Sequence, residues 1–199
     1  MKINKIKTLS LVILLLGCIG LYAFEPSFAK DPAISPDGNQ VCFVYQDDLW
    51  IVNYKGGDAR RLTYTEASEW SPIWSPDGKY IAFNSNREGQ TYVYVIPSSG
   101  GKARIVIRES YSIADWYADG TALLGSRFNF GFGSSMYRIP LDGSRPTLIA
   151  EIGHPFASLS PDNKKIIFNY RGDPYRTAYQ GSVNGELWEI DIETGEYTR

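Results

Sequence analysis

The 199 residues carry 20 Lys and Arg against 22 Asp and Glu, with a single histidine, for a formal net charge of −2. That balance excludes the clustered basic surface a nucleic-acid binder needs, and two cysteines are too few for a disulfide scaffold. Hydrophobic residues make up 43% of the chain and aromatic ones 14%, enough to build a sizeable core from broad rings.

Met1 to Lys7 holds three lysines and no acid, and Leu9 to Phe24 is almost wholly apolar. Ser27-Phe28-Ala29 then sets small residues at −3 and −1 of a cut before Lys30. This is the layout of a secretory signal peptide over residues 1–29, so export to the periplasm is expected. The apolar run is short for an uncleaved membrane span, which takes roughly 20 residues. Leu15-Leu16-Gly17-Cys18 has the form of a bacterial lipobox, which leaves lipidation at Cys18 as an alternative, although the residues after it stay apolar. Cleavage would remove three lysines and Glu25, bringing the formal charge from −2 to −4 and leaving Cys42 as the only thiol.

Beyond residue 30 one unit recurs. Ser35-Pro36-Asp37-Gly38 and Ser75-Pro76-Asp77-Gly78 are turns, in which Pro presets φ and Gly accepts φ > 0. Degraded copies stand at Tyr117-Ala118-Asp119-Gly120 and Ser160-Pro161-Asp162-Asn163, so the Asp positions are spaced by 40, 42 and 43 residues. Each turn is followed by a short apolar strand (Val41–Val44, Tyr80–Phe83, Ala122–Gly125, Ile166–Phe168). A second strand comes next (Asp48–Val52, Thr91–Val95, Met136–Ile139, Glu186–Ile190), then a turn containing Gly57, Gly101, Gly143 or Gly195. A period of roughly 40–45 residues with four strands in each is the mark of a β-propeller. The expected class is all-β, with four four-stranded blades over 31–63, 71–107, 112–150 and 154–199. A polar connection, Tyr64 to Ser71, joins the first blade to the second.

Two blades carry insertions between their second and third strands. In the third it runs from Arg127 to Ser135, where Phe128, Phe130 and Phe132 alternate and would present an apolar patch to a peptide or another domain. In the fourth it runs from Tyr170 to Gly185, where Arg171 and Arg176 would hold a carboxylate with Tyr175 and Tyr179 stacking alongside. The competing expectations are strand continuation for the phenylalanines and a solvated loop for the arginines. Insertions at equivalent places should emerge on one face of the disc, where propellers usually bind their partners.

No catalytic or cofactor pattern accompanies the repeat. His154 precedes Pro155 at the start of the fourth blade and reads as a linker residue, and no Gly-x-Ser-x-Gly elbow is present. One histidine and one thiol beyond residue 29 give no zinc set, and the turn Asp residues lack the neighbouring acids of a calcium loop. No catalytic residue, cofactor or metal is therefore expected in these 199 residues, and the expected partner is a peptide or protein.

The Ser-Pro-Asp-Gly turn, the following apolar strand, Asp48-Leu49-Trp50-Ile51 or Tyr92-Val93-Tyr94-Val95, and Gly56-Gly57 followed by Arg61-Leu62-Thr63 resemble the WD40-like repeat known as PD40. That repeat builds the propellers of TolB, the tricorn protease and several prolyl-oligopeptidase relatives. The opening segment Asp31 to Thr63 and the long insertion of the fourth repeat are most similar to exported tricorn-type serine peptidases. The resemblance implies a non-catalytic amino-terminal propeller, part of a six-bladed ring, that selects or channels peptides toward a protease region beyond residue 199. A TolB-like periplasmic scaffold is the alternative. An open stack of four blades leaves strand edges and apolar faces unpaired, so residues 30–199 alone are expected to be poorly soluble.

Overall fold

The computed structural model describes residues 28–129, 133–152, 156–170 and 186–199, all of them strand, turn or irregular chain. Blade 1 consists of β1 (Lys30–Ile34), β2 (Gln40–Tyr45), β3 (Asp48–Asn53) and β4 (Arg60–Arg61). Blade 2 consists of β5 (Glu69–Trp74), β6 (Tyr80–Ser85), β7 (Tyr92–Pro97) and β8 (Arg104–Ile107). Blade 3 has β9 (Ser112–Trp116), β10 (Ala122–Asn129), β11 (Gly133–Pro140) and β12 (Thr147–Ile152). Blade 4 has β13 (Ala157–Leu159), β14 (Lys165–Tyr170), β15 (Glu186–Asp191) and β16 (Tyr197–Thr198). Each blade is an antiparallel sheet whose strands lie in sequence order. First strands contact one another in succession, β1 with β5, β5 with β9 and β9 with β13, so they are innermost and the blades fan out around them.

The turn after each first strand is built by its side chains. Ser75 Oγ donates to Asp77 Oδ1 (2.7 Å) and accepts from Tyr80 N–H (2.9 Å), while Lys79 N–H donates to the same Asp77 oxygen (3.0 Å). Ser35, Asp37, Asn39 and Gln40 repeat that set, as do Ser160, Asp162, Lys164 and Lys165. At the third turn Tyr117 replaces the serine, and Asp119 instead accepts from both the N–H and the hydroxyl of Thr121 (2.8 Å each). Hydrogen bonding to the ionised form, led by the serine hydroxyl, holds Asp37 and Asp77 at about 2 and also lowers Asp162; at Asp119 the Thr121 N–H is the chief cause. A carboxyl whose native pKa is depressed stabilises the fold above its ordinary value near 3.8 and ceases to do so as pH falls toward 2. The thermal midpoint is therefore expected to fall steeply between pH 4 and 2, and less steeply in the Asp37→Asn, Asp77→Asn double variant.

Alternation along each strand sends side chains to the two flanking interfaces. Ile81, Phe83, Tyr94 and Ile96 of blade 2 pack against Cys42, Val44, Leu49 and Ile51 of blade 1. The intervening Ala82, Val93 and Val95 pack against Ile113, Trp116 and Leu123 of blade 3. Leu124, Met136 and Ala150 of blade 3 meet Ile166, Phe168 and Ile190 of blade 4. Cys42 is a free thiol inside the first of these cores, and burial pushes its pKa to about 12, so it is unreactive.

Polar side chains bridge the blades as well. Buried Asn84 donates from Nδ2 to the Tyr111 carbonyl (2.6 Å) and accepts at Oδ1 from Ile113 N–H (3.1 Å), binding blade 2 to the innermost strand of blade 3. Asp115 does the same for blade 4, accepting from the Ser158 hydroxyl and the Leu159 N–H (2.8 Å each). Asp31 Oδ2 accepts from Ser71 N–H at 3.1 Å between blades 1 and 2.

One expectation is corrected in detail, and one alternative, strand continuation through Phe128, is met. Glu69 to Ser71, read as polar connection, belong to β5, and Glu69 is fully buried. Residues 127–129 and 133–135 of the first insertion are ladder, with Asn129 paired opposite Gly133, because the β10–β11 hairpin continues past the length seen in blade 2. The β2–β3 hairpin closes through Gln46 and Asp47 at φ of 50° and 62°, a two-residue turn with both central residues left-handed. Gln does not favour that region and Gly enters it more readily than Asp, so the Gln46→Asn, Asp47→Gly double variant should stabilise the chain by about 1 kcal/mol, measurable by urea unfolding.

Candidate functional site

Antiparallel blades whose first strands run in one direction place all Ser-Pro-Asp-Gly turns at one edge of the disc and all second-to-third-strand loops at the other. The second edge therefore carries residues 127–129 and 133–135 of the first insertion, together with Tyr170 and Glu186, the described residues at the ends of the second. Phe128 lies on it, 71% exposed, opposite Ser134 in the β10–β11 ladder. Arg127 beside it pairs with Glu109 at 3.0 Å and lies over the Tyr111 ring. Phe130, Phe132, Arg171, Tyr175, Arg176, Tyr179 and His154 fall outside the described residues.

Under the same edge, between blades 1 and 2, sits a buried charge network that the repeat does not announce. Asp48 pairs with Arg61 and accepts from the Thr65 N–H (3.1 Å). Glu69 pairs with Arg87, whose guanidinium lies over the Tyr94 ring. Thr63 joins the two halves. Its hydroxyl accepts from Leu49 N–H (2.9 Å) and lies against both Asp48 Oδ1 (3.1 Å) and Glu69 Oε2. One hydroxyl proton can serve only one of those carboxylates, which sets two acceptors against each other at Thr63. Burial pushes the Glu69 pKa up, with Thr63 and Arg87 opposing the shift and Asp48 adding to it.

Two depressions adjoin this network. A cleft of about 800 Å³ runs along the rim between Leu62–Thr65 of blade 1 and β8, with Arg87, Tyr94 and Arg108 in its wall. It continues through Thr65 and Arg87 into a shallow basin of about 490 Å³ on the insertion-bearing edge. Arg108 is matched by Glu88 at 2.6 Å and Arg87 by Glu69, while Lys102 and Arg104 add positive charge to the wall. The Tyr94 hydroxyl is buried without a hydrogen-bond partner among the described residues, and burial raises its pKa.

A third cavity, of about 330 Å³, opens at the opposite edge between blades 2 and 3. Pro76, Asp77, Tyr80, Arg104, Trp116 and Asp119 form most of its wall. Among the described residues no group of three or more His, Cys, Asp or Glu side chains is placed to hold a metal ion.

Sequence reading does not single out Asp48, Asn84, Glu69 or Trp116. Glu69 stood in a polar run, Asn84 at the end of an apolar strand, and Asp48 as the first letter of a strand motif. The available signal was a polar residue at a core-facing position of the two-residue alternation, which applies to Asn84, two residues after Ala82.

The model of the tricorn protease N-terminal beta propeller domain matches residues 26–199. Tricorn protease homolog 1 of Streptomyces coelicolor is 28% identical over 190 residues, which is 87% of this chain and 17% of that protein. The chain thus spans less than a fifth of that relative. Among solved structures, the tricorn protease superposes with a TM-score of 0.68 at 20% identity, covering 87% of this chain and 18% of the other. A putative TolB from Agrobacterium tumefaciens superposes with a TM-score of 0.72 at 22% identity, covering 87% and 62%. At these identities the superpositions establish a shared propeller fold, and the family model, which spans all four blades, establishes the lineage: the chain belongs to the tricorn protease N-terminal β-propeller family.

Proposed function

We propose that this propeller is the non-catalytic leading part of an exported tricorn-like serine peptidase, binding or channelling peptides toward a protease region of the same protein. The observation that carries the reading is the state of the two outermost blades. Val41, Phe43, Trp50 and Val52 of blade 1 are the counterparts of Ile81, Phe83, Tyr94 and Ile96, yet they are only half-buried while the blade 2 set is enclosed. On blade 4, Ile167 and Leu187 stand where blade 1 has the enclosed Cys42 and Leu49, and they are 50% and 71% exposed. Faces built for blade-to-blade packing are uncovered at both ends of the stack, as they would be in four blades of a larger, six-bladed ring. Peptides would engage the edge carrying Phe128, where the basin beside Arg87 lies.

The reading frame after Arg199 tests this. Two further Ser-Pro-Asp-Gly units followed by a peptidase region with a serine nucleophile are expected. A frame with further propeller and no peptidase region would overturn the peptidase assignment and favour a TolB-like envelope scaffold. Export is tested separately by the amino-terminal residue of the secreted product, expected to be Lys30.

A further inference from the structure

Charge is distributed unevenly around the cleft between blades 1 and 2. Among the described residues of its wall, Glu88 is the one carboxylate, set against Arg87, Lys102, Arg104 and Arg108. Arg108 is matched by Glu88 and Arg87 by the buried Glu69, whereas Lys102 and Arg104 have no ion-pair partner among the described residues. Arg104 donates to the Leu141 carbonyl on the blade 3 side (3.3 Å), so it adds charge to the wall without facing into the cleft. Arg60 is a further cation without an ion pair among the described residues. It crosses from blade 1 to donate to the Ser98 carbonyl of blade 2 (2.8 Å) and lies beside Gly100, at the end of the cleft that Lys102 occupies. A chain of formal charge −2 thus gathers uncompensated positive charge along one groove, which favours an acidic occupant and steers it there.

The shape of the groove narrows the kind of acidic molecule that fits. Its blade 2 wall follows the chain from Gly101 through β8 to Arg108, a near-extended stretch that spans about 23 Å. A second extended chain laid beside it has room for about seven residues. Leu62, Ile96 and Ile105 give the groove an apolar floor. β8 is also the outermost strand of its sheet, so one row of its backbone N–H and C=O groups has no strand partner among the described residues. An extended peptide can pair with such a row while its side chains alternate between floor and rim. A chain of acidic sugars has no peptide backbone to offer it. The cleft runs on through Thr65 and Arg87 into the basin of the insertion-bearing edge, so its occupant would be continuous with the peptide path proposed above.

We propose that the cleft between blades 1 and 2 binds an extended segment of acidic peptide, with carboxylates against Lys102 and Arg60 and apolar side chains over Leu62 and Ile105. The assignment rests on the peptide-binding reading and narrows it to a substrate class, peptides in which acidic and apolar residues alternate.

Isothermal titration of the full chain with peptides of about seven residues tests it, each blocked at both ends and alternating leucine with glutamate, glutamine or lysine. The acidic peptide is expected to bind about tenfold tighter than the uncharged one, an advantage that shrinks as ionic strength rises past about 0.1 M, and the basic peptide to bind least. Lys102→Glu is expected to weaken the acidic peptide about tenfold by turning attraction into repulsion. It should leave the thermal midpoint unchanged, since Lys102 is exposed and holds no ion pair among the described residues. Lys164→Glu, the same change of charge at an exposed position of blade 4, is the control and should leave binding as it is. Equal affinity for the acidic and uncharged peptides overturns this inference and leaves the peptide reading standing, whereas no binding of any of the peptides overturns both. Equal losses in Lys102→Glu and Lys164→Glu would trace the preference to net charge and overturn the assignment to the cleft. Tighter binding of trigalacturonate than of the acidic peptide would overturn it in favour of an acidic sugar chain.

Discussion

Asn84→Ala is expected to lower the free energy of unfolding by about 2–6 kcal/mol. The side chain fills one donor and one acceptor on the Tyr111–Ile113 backbone, at the start of the innermost strand of blade 3. Removing it strands a buried carbonyl and a buried N–H, each costing roughly 1–3 kcal/mol. Against a total of about 5–15 kcal/mol for an ordinary domain, the upper half of that range unfolds the protein. Asn84→Asp separates the two bonds. It keeps the acceptor for the Ile113 N–H but sets a carboxylate oxygen against the Tyr111 carbonyl, so it should be no less damaging than alanine at pH 8 and recover as pH falls and the carboxyl gains a proton to donate. Urea unfolding of both variants at pH 5 and pH 8 checks this. Equal losses at both pH values for Asn84→Asp would refute the two-bond assignment.

The second large effect concerns Glu69. Glu69→Leu leaves Arg87 without its carboxylate at a mostly buried position and should cost about 3–5 kcal/mol. Glu69→Gln is the more informative change. A carboxyl whose native pKa is raised stabilises the fold fully below its ordinary value near 4.5, and that contribution is lost as pH rises through the native value. The wild type should therefore lose stability on the alkaline side of pH 4.5, and Glu69→Gln, which cannot ionise, should be flatter there. The difference between wild type and Glu69→Gln is expected to shrink from pH 5 to pH 8. Because Asp37 and Asp77 weaken the fold in the opposite direction below pH 4, the wild-type profile should peak in the mildly acidic range. A wild-type curve parallel to that of Glu69→Gln from pH 5 to pH 8 would show that Glu69 does not carry the shift.

The blades were legible because their punctuation is local. A Pro-Asp-Gly turn is specified by φ preferences and by hydrogen bonds spanning five residues, and Ser75 to Tyr80 form those bonds as expected. Strand alternation is equally local, which is why Tyr80–Ser85 and Tyr92–Pro97 lie within two residues of their expected limits. Asn84, Glu69 and Trp116 depend on which backbone or side chain another blade brings to them, across 27 residues for Asn84 and Tyr111. Trp74 and Trp116 make the point most clearly. Their local sequences are alike, and only the fit between neighbouring blades decides that one indole finds a carbonyl and the other has no partner among the described residues. The candidate peptide contacts were legible only as composition, and of them only Phe128 is placed, exposed on the insertion-bearing edge.

Under the proposed function, the outer faces of blades 1 and 4 are packing surfaces for further blades of one ring. This is tested most directly by sedimentation of residues 30–199 together with binding of a dye that reports exposed apolar surface. Concentration-dependent self-association and strong dye binding are expected. A monodisperse monomer that melts cooperatively and binds no dye would contradict it.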